Sequence, residues 1–362
     1  MTDSSMPTID DEESQAAPLS SAAPVPDDGG LGDLTCWVVT DGKQGMEIQC
    51  LGLAEAIGLR PEVKRIQVTK PWRWLPAGLI RRPLDTLGPK GDALAPPWPD
   101  LWIASGRQTV PLSRDMRAIS GGRSFTVQVQ NPVIDPACVD LVVTPDHDLL
   151  NGPNVLSTRG ALGRVTPQRL AAAAEAFSGR YAQLPAPRVG VLIGGDNAVF
   201  RMTAQIMTAL TEQLARLARE EGCGLMITPS RRTGQRNEAI LRKGLEGLPA
   251  DIWDGSGENP YFGILGLADH LVVTGDSVNM VSEAASTGKP VHLVALEGGS
   301  AKFARFHGSL QAAGITRAFT GRLDGWHYEP LAETRRVALE IRRRIVDRHQ
   351  RRLGAAKPDP KP

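Results

Sequence analysis

Apolar residues in this chain follow two alternating rhythms. Short runs, some unbroken and some with polar residues between, stand at residues 36–39, 63–68, 101–104, 126–129 and 141–143, and again at 189–193, 225–228, 252–253, 271–273 and 291–295. Bounded by Gly, Pro, Asp and Ser, such runs predict strands buried on both faces. Between them the apolar positions recur at helical spacing, over residues 49–57, 109–119, 167–177, 202–220, 236–245, 260–268 and 278–287. Strands alternating with helices predict parallel sheets covered on both sides. The series runs twice, so the expected fold is α/β, with two doubly wound Rossmann-like domains facing a cleft.

The boundaries follow from the interruptions. Residues 1–32 are rich in Ser, Ala, Pro and Asp without periodicity, and are expected to form a disordered acidic leader. The first domain is expected over 33–184 and the second over 185–333, with Pro185-Ala186-Pro187 as the linker. Residues 70–99 hold Trp72, Trp74, Trp98 and many prolines, and predict an irregular insertion with a short amphipathic helix around 79–84. Residues 334–362 form an Arg-rich end. There Val337, Ile341 and Ile345 make an apolar helical stripe, and Arg335, Arg336, Arg342, Arg343 and Arg344 line the rest.

Charge is balanced, 41 Lys+Arg against 40 Asp+Glu, so no nucleic-acid partner is expected. The balance is uneven along the chain: residues 1–42 contain no Lys or Arg. The terminal helix either packs on a core with a solvated basic face or meets an anionic membrane surface. Four scattered cysteines without CxxC spacing suit buried thiols in a reducing compartment. No run is long and apolar enough to span a bilayer, and the first residues lack the marks of a secretory or transit signal. The expected location is the cytoplasm, with peripheral attachment to the inner membrane as a further expectation.

Ligands of doubly wound sheets sit beyond the carboxyl ends of the strands, and the distinctive polar turns fall there. In the second half they are Gly194-Gly195, Ser230-Arg231, Asn259 with Tyr261, and Gly275-Asp276-Ser277 followed by Met280 and Glu283. Ser277 opens a helix whose first N–H groups suit a phosphate. Each feature alone also reads as a turn glycine, a cap or a surface charge; it is their joint occurrence at successive strand ends that points to a ligand. In the first half, Asp41-Gly42-Lys43-Gln44-Gly45 and Ser105-Gly106-Arg107 hold the equivalent places. Neither GxGxxG nor the P-loop spacing is present. Asp146-His147-Asp148 is the one acid–His cluster beside a strand end. It reads as a general base or as a turn with a satisfied histidine; as a metal site it has no supporting spacing. Lys302, Arg305 and His307 lie off the Phe303–Phe306 face and are expected toward the cleft.

The strand–turn–helix over 269–290 resembles the nucleotide-sugar half of GT-B glycosyltransferases. The wider set is similar to the mitochondrial fission ELM family: Asp41–Gly45 with Gln49, Ser105-Gly106-Arg107, Asp140–Asp148, Thr158-Arg159-Gly160-Ala161, Ile193-Gly194-Gly195, Ser230-Arg231-Arg232, Asn259-Pro260-Tyr261, and Lys302-Phe303 with Arg305-Phe306-His307. The resemblance implies a GT-B-like fold and a metal-independent glycosyltransferase-like protein. A nucleoside-diphosphate sugar would be the co-substrate, with no other cofactor. On that reading Gly194, Gly195, Ser230, Arg231, Asn259, Gly275, Asp276, Ser277, Met280 and Glu283 form the donor side, and Gln44, Ser105, Gly106 and Arg107 the acceptor side. Asp41, Lys43 and His147 are the catalytic candidates. The acceptor is unknown, with a lipid-linked one expected. The alternative is a non-catalytic, membrane-associated adaptor on the same scaffold.

Overall fold

In a computed structural model of the chain, residues 31–355 are described; residues 1–30 of the expected leader lie outside them. The first domain contains β1 (Cys36–Thr40), α1 (Gln44–Ile57), β2 (Glu62–Arg65), β3 (Leu101–Ser105), α2 (Val110–Ile119), β4 (Phe125–Val129), β5 (Leu141–Pro145) and β6 (Val155–Thr158). Its six strands pair in parallel in the order β2-β1-β3-β4-β5-β6. The central strands are buried along their whole length, so β1 and β3 read as mainly apolar runs, while β4 carries the buried polar residues Thr126 and Gln128.

After α3 (Pro167–Phe177) come β7 (Arg188–Ile193), β8 (Phe200–Arg201), α4 (Ala204–Glu220), β9 (Gly224–Pro229), α5 (Gln235–Gly244), β10 (Ala250–Ile252) and α6 (Tyr261–Leu267). The chain continues through β11 (His270–Thr274), α7 (Val278–Ala285), β12 (Val291–Val294), β13 (Glu297–Gly298), α8 (Ala301–Ala312), β14 (Thr316–Ala318) and α9 (Glu333–Ala355). The second sheet is also parallel, in the order β10-β9-β7-β11-β12-β14, and β8 and β13 form a small antiparallel ribbon. Each large sheet therefore reverses direction once: between β1 and β3 in the first domain, and between β7 and β11 in the second. A crevice opens at such a reversal. The fold is α/β, two Rossmann-like domains, each built on a parallel six-stranded sheet.

Two helices change sides. α3 precedes the proline pair, but it packs on α6: a Cβ on Gly263 would come within 2.7 Å of Phe177, and one on Gly266 within 2.6 Å of the Leu170 carbonyl oxygen. Leu170, Phe177 and buried Tyr181 belong to the second domain's core. α9 crosses back. Val337, Ala338 and Ile341 are buried with Leu53, Ile57 and Leu101 of the first domain. Burial of each large apolar side chain contributes about 1.5–3 kcal/mol, enough to lock the return.

The terminal arginines are consequently divided. Arg342 is buried and donates to the Ile57 carbonyl at 3.0 Å, closing the carboxyl end of α1. Arg336 is held by Glu333, Arg343 by Glu340 and Asp347, and Arg344 by Glu340; Arg343 and Arg344 hold the Glu340 carboxyl down at about 2. Arg335 is exposed. The five expected membrane-facing arginines thus do not form one free basic face.

Other expectations needed correction. The strand predicted over 63–68 stops at Arg65, whose N–H turns to the Asp92 carboxylate at 2.7 Å; Val68 makes only an isolated bridge with Leu87. In place of a helix around 79–84 stand three 3-10 turns, Trp72–Trp74, Ala77–Leu79 and Pro83–Thr86. Pro71, Pro76 and Pro83 precede or open them and supply no N–H to a longer helix. Cys36, Cys50 and Cys223 are buried free thiols, but Cys138 is exposed. Among the described residues no helix is long and apolar enough to cross a membrane, and no group of three or more His, Cys, Asp and Glu is placed to hold a metal ion.

Candidate functional site

The reversal point of the second sheet lies between the turns that follow β7 and β11. The Gly194 N–H donates to Thr274 Oγ1 at 2.7 Å and the Gly195 N–H to Asp276 Oδ2 at 3.1 Å. Neither glycine has a positive φ; what each needs is room. A Cβ on Gly194 would lie 2.2 Å from the Asp276 carboxylate, and one on Gly195 2.0 Å from the Arg232 carbonyl oxygen. The Asp276 side chain is 0% exposed; it pairs with Arg232 Nη1 at 2.7 Å and accepts from Thr274 Oγ1 at 2.6 Å. Thr233 Oγ1 donates to the Gly194 carbonyl at 2.6 Å. Asp276 therefore ties three strand ends together from a buried position. Ser230 Oγ accepts from the Arg232 N–H at 3.2 Å, while Arg231 is exposed beside it. Thr233 gives no signal in the sequence; Arg232 and Thr274 lie in the strand-end clusters, but only the turn decides which arginine pairs with Asp276.

Ser277 caps α7, accepting from the Met280 N–H at 3.3 Å. One residue into that helix, Asn279 reaches the other domain: its Nδ2 donates to the Gly45 carbonyl at 3.0 Å and its Oδ1 accepts from Gln49 Nε2 at 3.0 Å. Gln44 opens α1, so the amino-terminal ends of α1 and α7 meet at this point, both positively polarised. The segment between the domains crosses α7 as well, with the Ala161 N–H donating to Ser282 Oγ at 2.9 Å. Glu283 is 8% exposed. It accepts from the Tyr261 hydroxyl at 2.7 Å, and a Cβ on Gly163 would lie 3.2 Å from its Cγ. Burial raises the Glu283 carboxyl above its ordinary range, and the Tyr261 hydrogen bond partly opposes this. Asn259 is exposed and accepts from the Tyr261 N–H at 3.0 Å, setting the start of α6. Met280 is half-buried.

Across the junction, the first sheet reverses between Asp41 and Ser105. The Asp41 side chain is 2% exposed and pairs with Lys43 Nζ at 2.7 Å. Its Oδ2 also accepts from Gln108 Nε2 at 3.3 Å, whereas its buried Oδ1 has no partner. Ser105 Oγ and Gln128 Oε1 are likewise buried without partners. Gly106 has φ +102°, a left-handed value that favours glycine, and its missing Cβ leaves space beside Met46 and Asp41. Arg107 turns away from the junction and donates to the Arg73 carbonyl at 2.7 Å.

The acid–His turn meets α8 of the second domain. Asp148 pairs with Lys302 at 2.7 Å and accepts from Thr144 Oγ1 at 3.0 Å. Arg305 donates to the His147 carbonyl at 2.9 and 3.2 Å. The His147 ring is buried against Phe306, 5.4 Å between centroids, and its Nδ1 has no partner. Burial, reinforced by Lys302, lowers its pKa to about 4. His307 Nε2 lies 2.8 Å from the Gly275 carbonyl oxygen. Lys302 and Arg305 thus reach the first domain, whereas His307 contacts the turn after β11 in its own domain.

Residues 44–345 match the family described as Mitochondrial fission ELM1. The chain belongs to this family. Among ELM1-family relatives, the "Mitochondrial fission protein ELM1" of Arabidopsis thaliana is 30% identical, over 86% of this chain and 91% of its own. An uncharacterized protein of Rickettsia prowazekii, RP120, is 27% identical over 66% of this chain and 78% of its own. Solved structures are more distant. A UDP-GlcNAc 2-epimerase from Methanocaldococcus jannaschii has a TM-score of 0.49 at 10% identity, covering 85% of this chain and 99% of that one. MurG of Acinetobacter baumannii has a TM-score of 0.43 at 12% identity, covering 90% and 96%. The architecture assigned to this ELM1-family chain rests on its own two sheets and their reversal points.

Proposed function

We propose that the chain is a glycosyltransferase-like protein that takes a nucleoside-diphosphate sugar between its two reversal points. The observation that carries this reading is the meeting of α1 and α7 at Gly45 and Asn279, which aims two helix amino-termini at one place. Backbone N–H groups there, with the unengaged Arg231 guanidinium, would hold the diphosphate. They stabilise a departing diphosphate without calling on a metal. Asp41 suits the base: its buried Oδ1 is unpartnered, and Lys43 orients the carboxylate through Oδ2. In an inverting transfer an acceptor hydroxyl attacks the sugar carbon, its proton passes to Asp41, and the sugar–phosphate bond breaks with its electrons leaving on the diphosphate. Ser105 and Gln128 would bind the acceptor's hydroxyls. His147 is better fitted to seating α8 than to taking protons, because Phe306 covers it. For Glu283 to take ribose hydroxyls, its bond to Tyr261 must open.

One observation favours a non-catalytic adaptor instead: the buried Asp276 carboxylate, paired with Arg232, puts a negative charge at the strand ends proposed for the diphosphate. Calorimetric titration with UDP, GDP and their sugars separates the two. Binding that Arg231→Ala weakens supports the enzyme-like reading. Failure of every nucleotide to bind the intact chain removes it and leaves the adaptor.

A further inference from the structure

Six large apolar side chains stand exposed among the described residues, and Trp72, Trp74 and Leu79 supply half of them, at 40%, 63% and 64% exposure. All three lie in the insertion between β2 and β3; Val133, Leu149 and Leu339 come from separate elements. The stretch is anchored. Arg107 donates to the Arg73 carbonyl at 2.7 Å, and Arg114 donates to the Ala77 carbonyl at 3.0 Å and to that of Ile80. Ile80 and Pro83 turn inward and are buried. The two tryptophans and Leu79 are thus held outward by a fixed backbone that the core does not need them to complete.

Their charged surroundings are one-sided. Lys70, Arg73, Arg81 and Arg82 are exposed, and no Asp or Glu occurs between residues 70 and 84. Lys70 Nζ lies 5.3 Å from the centroid of the Trp74 ring. Protein interfaces enrich Trp and Arg but deplete Lys and draw charge out of their apolar centre; here Lys70 sits over the Trp74 ring and Arg81 and Arg82 follow Leu79. Trp rings with Lys and Arg between them suit the headgroup layer of a membrane, where rings settle at the boundary and cations meet lipid phosphates. The balanced charge of the whole chain, 41 Lys+Arg against 40 Asp+Glu, argues against single-stranded nucleic acid.

We propose that residues 70–82 form a docking edge that seats the first domain on an anionic bilayer surface. The edge is separate from α9, whose arginines are largely engaged. Through the Arg107–Arg73 hydrogen bond it lies next to the end of β3, so docking brings the Asp41–Ser105 reversal point close to the lipid. The inference does not depend on nucleotide binding.

The test is co-sedimentation of the full chain with phosphatidylcholine vesicles, with and without phosphatidylglycerol. The intact chain is expected to pellet with the anionic vesicles, and brominated lipids to quench its tryptophan emission. The triple variant Trp72→Ser, Trp74→Ser, Leu79→Ser should partition at least about tenfold less. A second variant, Lys70→Gln, Arg81→Gln, Arg82→Gln, keeps the apolar anchors and should lose a similar factor. Both should retain the nucleotide titration of the intact chain. The proposal is overturned if the intact chain binds neither vesicle, or if both variants bind like it. It is equally overturned if the substitutions instead abolish self-association or binding of a single-stranded oligonucleotide.

Discussion

Asn279 of the second domain holds Gly45 of the first: its Nδ2 donates to the Gly45 carbonyl at 3.0 Å, and a Cβ on Gly45 would lie 2.8 Å from that nitrogen. The contact joins the two helix ends on which the proposed donor site depends. Asn279→Ala removes this bond and the one from Gln49. At about 1 kcal/mol each, the loss is expected to loosen the domains without unfolding either. Small-angle scattering should show a larger radius of gyration, and an unchanged radius would mean that other contacts fix the junction.

Arg231 and Arg232 separate binding from stability. Arg231 is exposed, so Arg231→Ala should leave stability within about 0.5 kcal/mol while weakening nucleotide binding. Arg232→Ala strips a fully buried carboxylate of its ion pair and should cost about 1–3 kcal/mol, read by urea denaturation. Equal stability loss in both would show that the turn is arranged differently.

Glu283 reads from the sequence as a ligand contact or a solvent-facing helix residue, but it is buried and takes a structural role. Glu283→Ala would leave the Tyr261 hydroxyl without its partner and should destabilise the fold by about 1–3 kcal/mol. A thermal midpoint equal to that of the intact chain would contradict this. Folding raises this carboxyl's pKa, so the folded state binds the extra proton. Its contribution is present below the unfolded pKa and is lost as pH rises through the folded one.

His147 works in the opposite sense. Folding lowers its pKa from 6.5 to about 4, so the unfolded chain binds more protons between those values. Stability should fall as pH drops from 6.5 toward 4, by up to roughly 3 kcal/mol from this residue. His292 is lowered to about 4 as well, chiefly by burial, and adds to the slope. Urea midpoints across that window check the point: His147→Phe should flatten the curve, and an undiminished slope would rule the histidine out as a cause.

Most of the architecture was legible from apolar rhythm. β1, β3, β5, β7, β9 and β11 are mainly apolar because helices cover both faces of their sheets, and local composition records that; β4 and β12 carry buried Thr126, Gln128 and His292 in the same setting. β6 and β14 are short edge strands with partly exposed or polar positions, and their signal is correspondingly faint. The insertion misled because Ile80 and Leu84 fall at a helical interval while the prolines around them permit only 3-10 turns. At the candidate site the turns themselves were legible, since Gly, Asp and Ser mark strand ends. The inward choice of Arg232 over Arg231 and the burial of Glu283 were not.

The chain's order of residues determined its elements, their parallel pairing class and the strand ends where polar groups gather, because each depends on neighbours within a few residues. Tertiary structure alone decided that α3 joins the second domain and α9 returns to the first. The stripe of Val337, Ala338 and Ile341 shows that α9 must bury a face, but any apolar surface would satisfy it. Leu53, Ile57 and Leu101 become that surface only once both sheets have folded and the first domain's flank lies within reach of the last helix.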